Sequence, residues 1–256
     1  MAIAPLGVEL ADIMADTVVD KIVFARNGGQ IRTVVTGTKI HETFMYPSKR
    51  WRRCGYGDGR TELAMHKIAE VVPDRLDFLA QPCRIEATLR GKAVTAFPDA
   101  AWVDIGGRPM LVEAKRRWED FDRPTAIIQQ AVTRVGAAAL GWDYHQVTPA
   151  NLGSDDFLEA VDEVQAHRFV NVPLRIEQAV ARALSEEGEL QLGDLAHAMG
   201  ESFGRGLAFA SALMVRRKIA FDLHRPVDER SIVRPAPKRP FAFPTIRLSC
   251  AVTNAG

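Results

Sequence analysis

In the stretch "FPDAAWVDIGGRPMLVEAKRR" (97–117), Asp99, Glu113 and Lys115 have the types and spacing to do chemistry. In an extended strand over 109–115, Leu111, Glu113 and Lys115 share one face and Met110, Val112 and Ala114 the other. Glu113 and Lys115 then stand roughly 7 Å apart. An E-x-K triplet by itself is also what a solvated strand face carries, and a chain of this size is expected to hold about one by chance. Asp99 makes the pattern more specific. If 93–103 and 109–115 pair through a turn at 104–108, Asp99 approaches Glu113 at a sheet edge. Two adjacent carboxylates repel unless a cation lies between them. Hard oxygen ligands suit Mg²⁺ or Mn²⁺. Such a metal polarises a phosphate and lowers the pKa of a bound water, while a neighbouring ammonium orients that water. The chemistry would be phosphodiester hydrolysis.

A third carboxylate comes from the segment before the strands. "GDGRTELAMHKIAEVVP" predicts a helix with Thr61 as N-cap and Pro73 just past its end. Ala64, Met65, Ile68, Ala69, Val71 and Val72 form its apolar arc, and Glu62 falls about 20° beyond Ala69, on the border of the buried face. From there Glu62 either leans toward Asp99 or serves as a favourable charge in the first helical turn. His66, one turn later, reads as a half-exposed helix histidine.

The remaining elements form a scaffold. A short helix near 8–19 precedes "VFARNGGQIRTVV", which reads as a hairpin about Asn27-Gly28-Gly29. Strand-like runs at 83–90, 93–103 and 109–115 are punctuated by Gly91-Lys92 and Gly106-Gly107. A helix over 124–140, a strand around "WDYHQV" and a helix within 154–167 follow, the order of a mixed α/β domain. Beyond Pro173 come three helices and "IAFDLHRPVDERSIV", a candidate β-wing, with 204–218 in the place of a recognition helix. "RPAPKRPFAFP" predicts an extended tail. The expected division is a lead segment 1–40, an α/β domain 41–170, a winged-helix-like domain 171–235 and a Pro-rich tail 236–256.

Composition excludes several classes. The 256 residues are 47% hydrophobic and 25% charged, with a net charge of +1, so nothing overall demands a polyanionic partner. Three basic runs stand out locally: "KRWRR" (49–53), "KRR" (115–117) and "RRK" (216–218). Each is solvated surface or a phosphate contact; at 216–218, cations at a helix C-terminus are the simpler reading. Trp51 either stacks on a base or caps a local cluster. Cys54, Cys83 and Cys250 form no CxxC pair, and no HExxH, P-loop or GxSxG motif occurs. The first residues lack a basic start followed by an apolar block, and no apolar run approaches the ~20 residues of a membrane span. The expectation is a cytoplasmic protein without membrane contact.

"FPD" at 97–99, fourteen residues to Glu113, and "EAK" at 113–115 resemble the PD-(D/E)XK nuclease superfamily. Within it the chain is most similar to the TnsA endonucleases of heteromeric transposons. That likeness runs over roughly 45–235 and includes "YPSKR", "TELAMHKIAEVVPDRLDFLAQPCRIE" and "FPD…LVEAK". The resemblance implies a restriction-endonuclease-like mixed sheet flanked by helices, followed by a small winged-helix domain. It implies a site of Glu62, Asp99, Glu113 and Lys115 with Mg²⁺ or Mn²⁺, and an accessory polar residue at Gln130 that is otherwise surface polarity. It also implies cleavage of double-stranded DNA at transposon ends in a bacterial cytoplasm, with a partner transposase and a regulatory ATPase. Lys49, Arg50, Arg52, Arg53, Arg116 and Arg117 would hold phosphates. "PDAAWV" and "GRTE" depart from the family's commoner wording, the second bearing on Glu62. A non-catalytic DNA- or protein-binding module, and a repair or defence nuclease, are the alternatives.

Overall fold

In α1 (Leu10–Ala15) the helix expected near 8–19 stops early. The β-branched residues that follow enter β1 (Thr17–Phe24), which alternates buried and exposed along most of its length. The computed structural model describes residues 9–32, 42–238, 246 and 252–253. The turn at Asn27-Gly28-Gly29 forms, with Gly28 at φ 65° and its N–H on the Ala25 carbonyl. Ile31 then bonds to Gln81 instead of returning along β1. The rest of the expected second strand, from residue 33, lies outside the described residues.

A hairpin of β2 (Thr43–Ser48) and β3 (Arg53–Asp58) runs directly into α2 (Gly59–Val71). Asp58, not Thr61, occupies the N-cap position. Gly59, at φ 78°, turns the chain straight out of β3, so the helix starts earlier than the Thr61 signal suggested. Next come β4 (Arg75–Ala80), which sequence periodicity had not marked, β5 (Cys83–Leu89), β6 (Lys92–Ala96), β7 (Ala100–Asp104) and β8 (Pro109–Ala114).

The single strand expected over 93–103 is therefore two strands in different sheets. β6 pairs with β5, whereas β7 pairs with β4 and β8. The break falls at Phe97-Pro98-Asp99. Pro98 has no N–H to offer a ladder, and Asp99 donates its own N–H to the Val112 carbonyl, starting the new pairing. Gly107, at φ 79°, closes the β7–β8 turn.

The chain continues through α3 (Pro124–Leu140), β9 (Asp143–Val147), α4 (Pro149–Leu152) and α5 (Asp155–Ala166). β9 lies parallel to β8, and a parallel neighbour needs a crossover, which α3 supplies. One sheet thus has the order β4-β7-β8-β9 and is mixed. A second, antiparallel, contains β1, β5 and β6, and β13 (Val252–Thr253) lies at its edge. The protein is α/β. Phe78, Ala100, Trp102 and Val112 pack the mixed sheet against Met65 and Ala69 of α2. Leu79, Ala101 and Leu111, on its other face, meet Ile22 and Ile85 of the second sheet and Val132 of α3.

The last part holds α6 (Leu174–Glu187), β10 (Leu190–Gln191), α7 (Leu192–Ala198), α8 (Phe203–Val215), β11 (Ile219–Phe221) and β12 (Ile232–Pro235). The three strands form a small sheet in the order β10-β12-β11. α5 to α8 share one hydrophobic cluster with Ile68 and Val71 of α2. Nine of the thirteen residues of α8 are buried. Its exposed positions are Gly204 and Arg205, near its start. Among the described residues no helix is long and apolar enough to cross a membrane.

The β2–β3 loop is fastened to α2 by Glu70, which is fully buried. Its carboxylate accepts hydrogen bonds from the Ser48 hydroxyl, from Lys49 N at 2.8 Å and from Arg50 N at 3.1 Å. Glu70→Ala should lower the unfolding free energy by about 2–4 kcal/mol, since it orphans three donors at once. Urea denaturation reads this directly; a loss below about 0.5 kcal/mol would contradict the anchoring role.

Candidate active site at the end of the mixed sheet

The register of the mixed sheet assembles the site. Ala100 faces Val112 and Ala80 faces Ala100. Just before the β7–β8 ladder begins, Asp99 donates its N–H to the Val112 carbonyl at 3.0 Å and accepts the Gln81 N–H on its own carbonyl at 2.8 Å, which sets it between the ends of β4 and β8. On the other side Glu113 pairs in parallel register with Gln146. Gln81, Asp99, Glu113 and Gln146 therefore form a polar row on one face. The next row, Leu79, Ala101, Leu111 and Tyr144, belongs to the hydrophobic packing. The expected convergence of Asp99 and Glu113 is present: the Asp99 carboxylate lies on the N–H of Ala114, next to Glu113, and its charge acts on the Glu113 carboxyl.

Asp99 Oδ2 accepts the Ala114 N–H at 2.7 Å, which fixes the carboxylate over the end of β8. Glu113 is fully buried, and its Oε1 takes a hydrogen bond from Lys115 Nζ at 2.5 Å. Glu113 Oε2 is buried with no partner among the described residues. Burial and then the charge of Asp99 push the Glu113 carboxyl up to about 8, against the pull of Lys115. Asp99 is likewise raised by burial, although Lys115 and the Ala114 N–H oppose it. Burial disfavours the Lys115 ammonium, but Glu113 and Asp99 outweigh it and hold the group above its ordinary value.

Glu62 joins from the first turn of α2. Burial and the charge of Asp99 push its carboxyl up to about 9. Its Oε2 is buried with no partner among the described residues, and a Cβ on Gly57 would lie 2.6 Å from it, so a larger residue at 57 would displace this carboxylate. Thr61 Oγ1 reaches the Lys115 carbonyl at 3.4 Å, tying α2 to the end of β8. The four residues predicted from sequence are thus brought together.

Several neighbours were missed. Arg32 lowers the pKa of all three carboxylates and donates to Gln81 Oε1 at 3.0 Å. It lies in a loop distant in sequence, with no local signal. Asp58 adds negative charge beside Glu62 and Asp99, and its position one helical turn before Glu62 was a legible cue. Gln130 is buried, so the surface reading fails. Its amide donates to the Phe121 carbonyl at 2.6 Å and accepts from Gln146 at 2.7 Å, which makes it a brace behind the row.

The basic residues separate. Arg116 and Arg117 are exposed directly after Lys115, near the row. Arg53 turns inward and donates to the Gly28 carbonyl at 2.9 Å. Lys49, Arg50 and Arg52 line a different groove. Trp51 packs on the cluster beneath α2 with the Arg50 guanidinium over its ring, which favours its role as a cap.

Chemically, the site offers three carboxylates whose mutual repulsion and buried, unpartnered oxygens call for positive charge. That donor set fits a hard divalent cation. As the side chains stand, no group of three or more His, Cys, Asp or Glu among the described residues is arranged to hold a metal ion. The Lys115 ammonium supplies the positive charge at Glu113.

His66, expected to be half exposed, is 5% exposed and caged by Phe44, Tyr46 and Phe78. A Cβ on Gly55 would lie 2.0 Å from its ring. Burial pushes the imidazole down to about 4. The unfolded chain, with a value of about 6.5, binds the proton first. The stabilising effect is therefore full above pH ~6.5 and is lost as pH falls toward 4. Between pH 7 and 5 the wild type should lose about 2 kcal/mol that His66→Phe does not. Urea unfolding at both pH values measures it, and equal losses would contradict the assignment.

No protein-family model matches the chain, and no curated protein matches it in sequence.

Proposed function

We propose that the protein is a metal-dependent DNA endonuclease of restriction-endonuclease-like fold, similar to the TnsA enzymes, with a winged-helix-like C-terminal part. The observation that carries this reading is the meeting of the Asp99 and Glu113 carboxyl groups at the end of β8, with Lys115 bonded to Glu113. The crossover of β8, α3 and β9, with α2 on the opposite face, supports the fold. The three helices and small sheet of 174–235 support the winged-helix part.

Asp99 and Glu113 would hold Mg²⁺ or Mn²⁺, with Glu62 assisting. When bound there, the ion supplies a Lewis acid for the scissile phosphate and lowers the pKa of the attacking water. The protein contributes the rest. The ladder at Asp99 and the Asp99–Ala114 bond hold the carboxylates in register. Lys115 Nζ, held charged, orients the nucleophilic water and steadies negative charge developing on phosphate oxygens. Arg116 and Arg117 lie where a neighbouring phosphate would pass. By likeness to the family, cutting takes place in the cytoplasm at transposon ends, with a transposase subunit and a regulatory ATPase.

A second reading is a non-catalytic binding module of the same fold. The Lys115–Glu113 ion pair, which already supplies positive charge at the site, favours it. Nicking of double-stranded DNA with Mg²⁺ or Mn²⁺ separates the two, with and without the proteins encoded beside this chain. Asp99→Ala and Lys115→Ala should each cut about 10²-fold or more slowly than wild type. Equal cutting by all three would overturn the assignment, and no cutting under any condition would favour the binding module.

A further inference from the structure

Two basic runs far apart in sequence meet in space. The β2–β3 loop brings Lys49, Arg50 and Arg52, and the end of α8 brings Arg216, Arg217 and Lys218. With Lys238 they line an open groove of about 880 Å³. Seven of its ten lining residues are basic and none is acidic. In a chain of net charge +1, this clustering does not follow from composition.

Both segments are anchored to the same place. Arg50 donates to the Ala69 carbonyl at 2.7 Å, to the Val72 carbonyl at 2.8 Å and to the Arg75 carbonyl. Arg217 also reaches the Arg75 carbonyl, at 3.4 Å. The exposed members, Lys49, Arg52, Lys218 and Lys238, form no ion pair among the described residues. Arg216 is paired with Glu177 at 3.4 Å, but the four exposed cations have no such partner and repel one another, so their arrangement is completed by an anion.

The backbone carries a second sign. Arg52 has φ 54° and Arg217 has φ 59°, values that favour glycine. Arg217 sits just past the α8 cap, with its N–H on the Met214 carbonyl and the Lys218 N–H on the Leu213 carbonyl. Glycine is the usual residue at that position of this closure, and an L side chain there is strained. Of the four non-glycine residues with positive φ among the described residues, two line this groove, Arg52 as an exposed cation and Arg217 with its guanidinium turned in toward the Arg75 carbonyl. Strain of this kind concentrates at functional sites.

We propose that this groove binds the sugar–phosphate backbone of duplex DNA as a contact separate from the carboxylate site. α2 separates the two. Glu62 is in its first turn, whereas Arg50 grips its last carbonyls, so they lie about 15 Å apart along the helix. Repeating phosphates match a lining that is cationic almost throughout. Clustered arginines also recognise acidic motifs, but for peptide side chains the groove adds only Val215, Ala236 and Pro237 as apolar contacts. The choice of DNA rests on the nuclease reading; the test does not depend on cutting.

Binding of a fluorescent duplex of about 30 base pairs to the full chain, in EDTA, is read by anisotropy over a series of salt concentrations. Lys49→Glu with Lys218→Glu should weaken binding ~10-fold or more and reduce the salt slope by about 2, one for each lost phosphate contact. Arg52→Gly should weaken binding while leaving the melting temperature unchanged or higher, which a purely structural arginine would not do. Wild-type affinity and salt slope in the double variant would overturn the proposal. So would displacement of the duplex by poly-glutamate at lower concentration than by unlabelled DNA, which would assign the groove to an acidic protein segment. A chain that never cuts DNA but binds it through these residues would overturn the nuclease reading alone.

Discussion

The structure turns on two carboxyl groups brought together at the end of a sheet. Asp99 is fixed by its N–H on the Val112 carbonyl and by its carboxylate on the Ala114 N–H, which sets it beside the fully buried Glu113. Burial raises the pKa of both carboxyls and that of Glu62, and the charge of Asp99 adds to the rise at Glu113 and Glu62. The neighbours answer that demand for positive charge: Lys115 on Glu113, and Arg32 braced on Gln81. A buried cluster of this kind does not by itself stabilise a fold, because desolvating the charges offsets much of their attraction. Its retention is better understood through what it can bind.

The rest of the fold serves that meeting. Pro98 ends one sheet and Asp99 starts the other, so a break in the strand pattern becomes a corner of the site. α3 covers the hydrophobic row next to the polar one, and Gln130 closes the polar row from behind through Gln146. α2 links two functions at its two ends. Its first turn gives Glu62, and its last turn holds the loop of Lys49 to Arg52 through Glu70 and Arg50.

The residues that gather at the site were legible in the sequence, and its surroundings largely were not. Asp99, Glu113 and Lys115 declare themselves by type and spacing. α3 and α5 follow from periodicity with Gly141 and Ser154 at their ends. These are local signals, carried within a few residues. β4, the place of Arg32, and the bracing by Gln81, Gln146 and Gln130 depend on register between distant strands, which no local window contains. His66 was misjudged because helical periodicity places a residue on a face but does not reveal the hairpin that covers it. The meeting of 49–52 with 216–218 was hidden for the same reason: each run alone looks like solvated surface.

Crystals soaked in Mn²⁺ test the central claim most directly, since the ion is located by its anomalous scattering. A peak within coordination distance of carboxylate oxygens from both Asp99 and Glu113, about 2.0–2.3 Å, is the expected result. Its absence from crystals of Asp99→Asn would strengthen it. A fully soaked wild-type crystal with no peak there, and Lys115 still bonded to Glu113, would contradict a shared metal site.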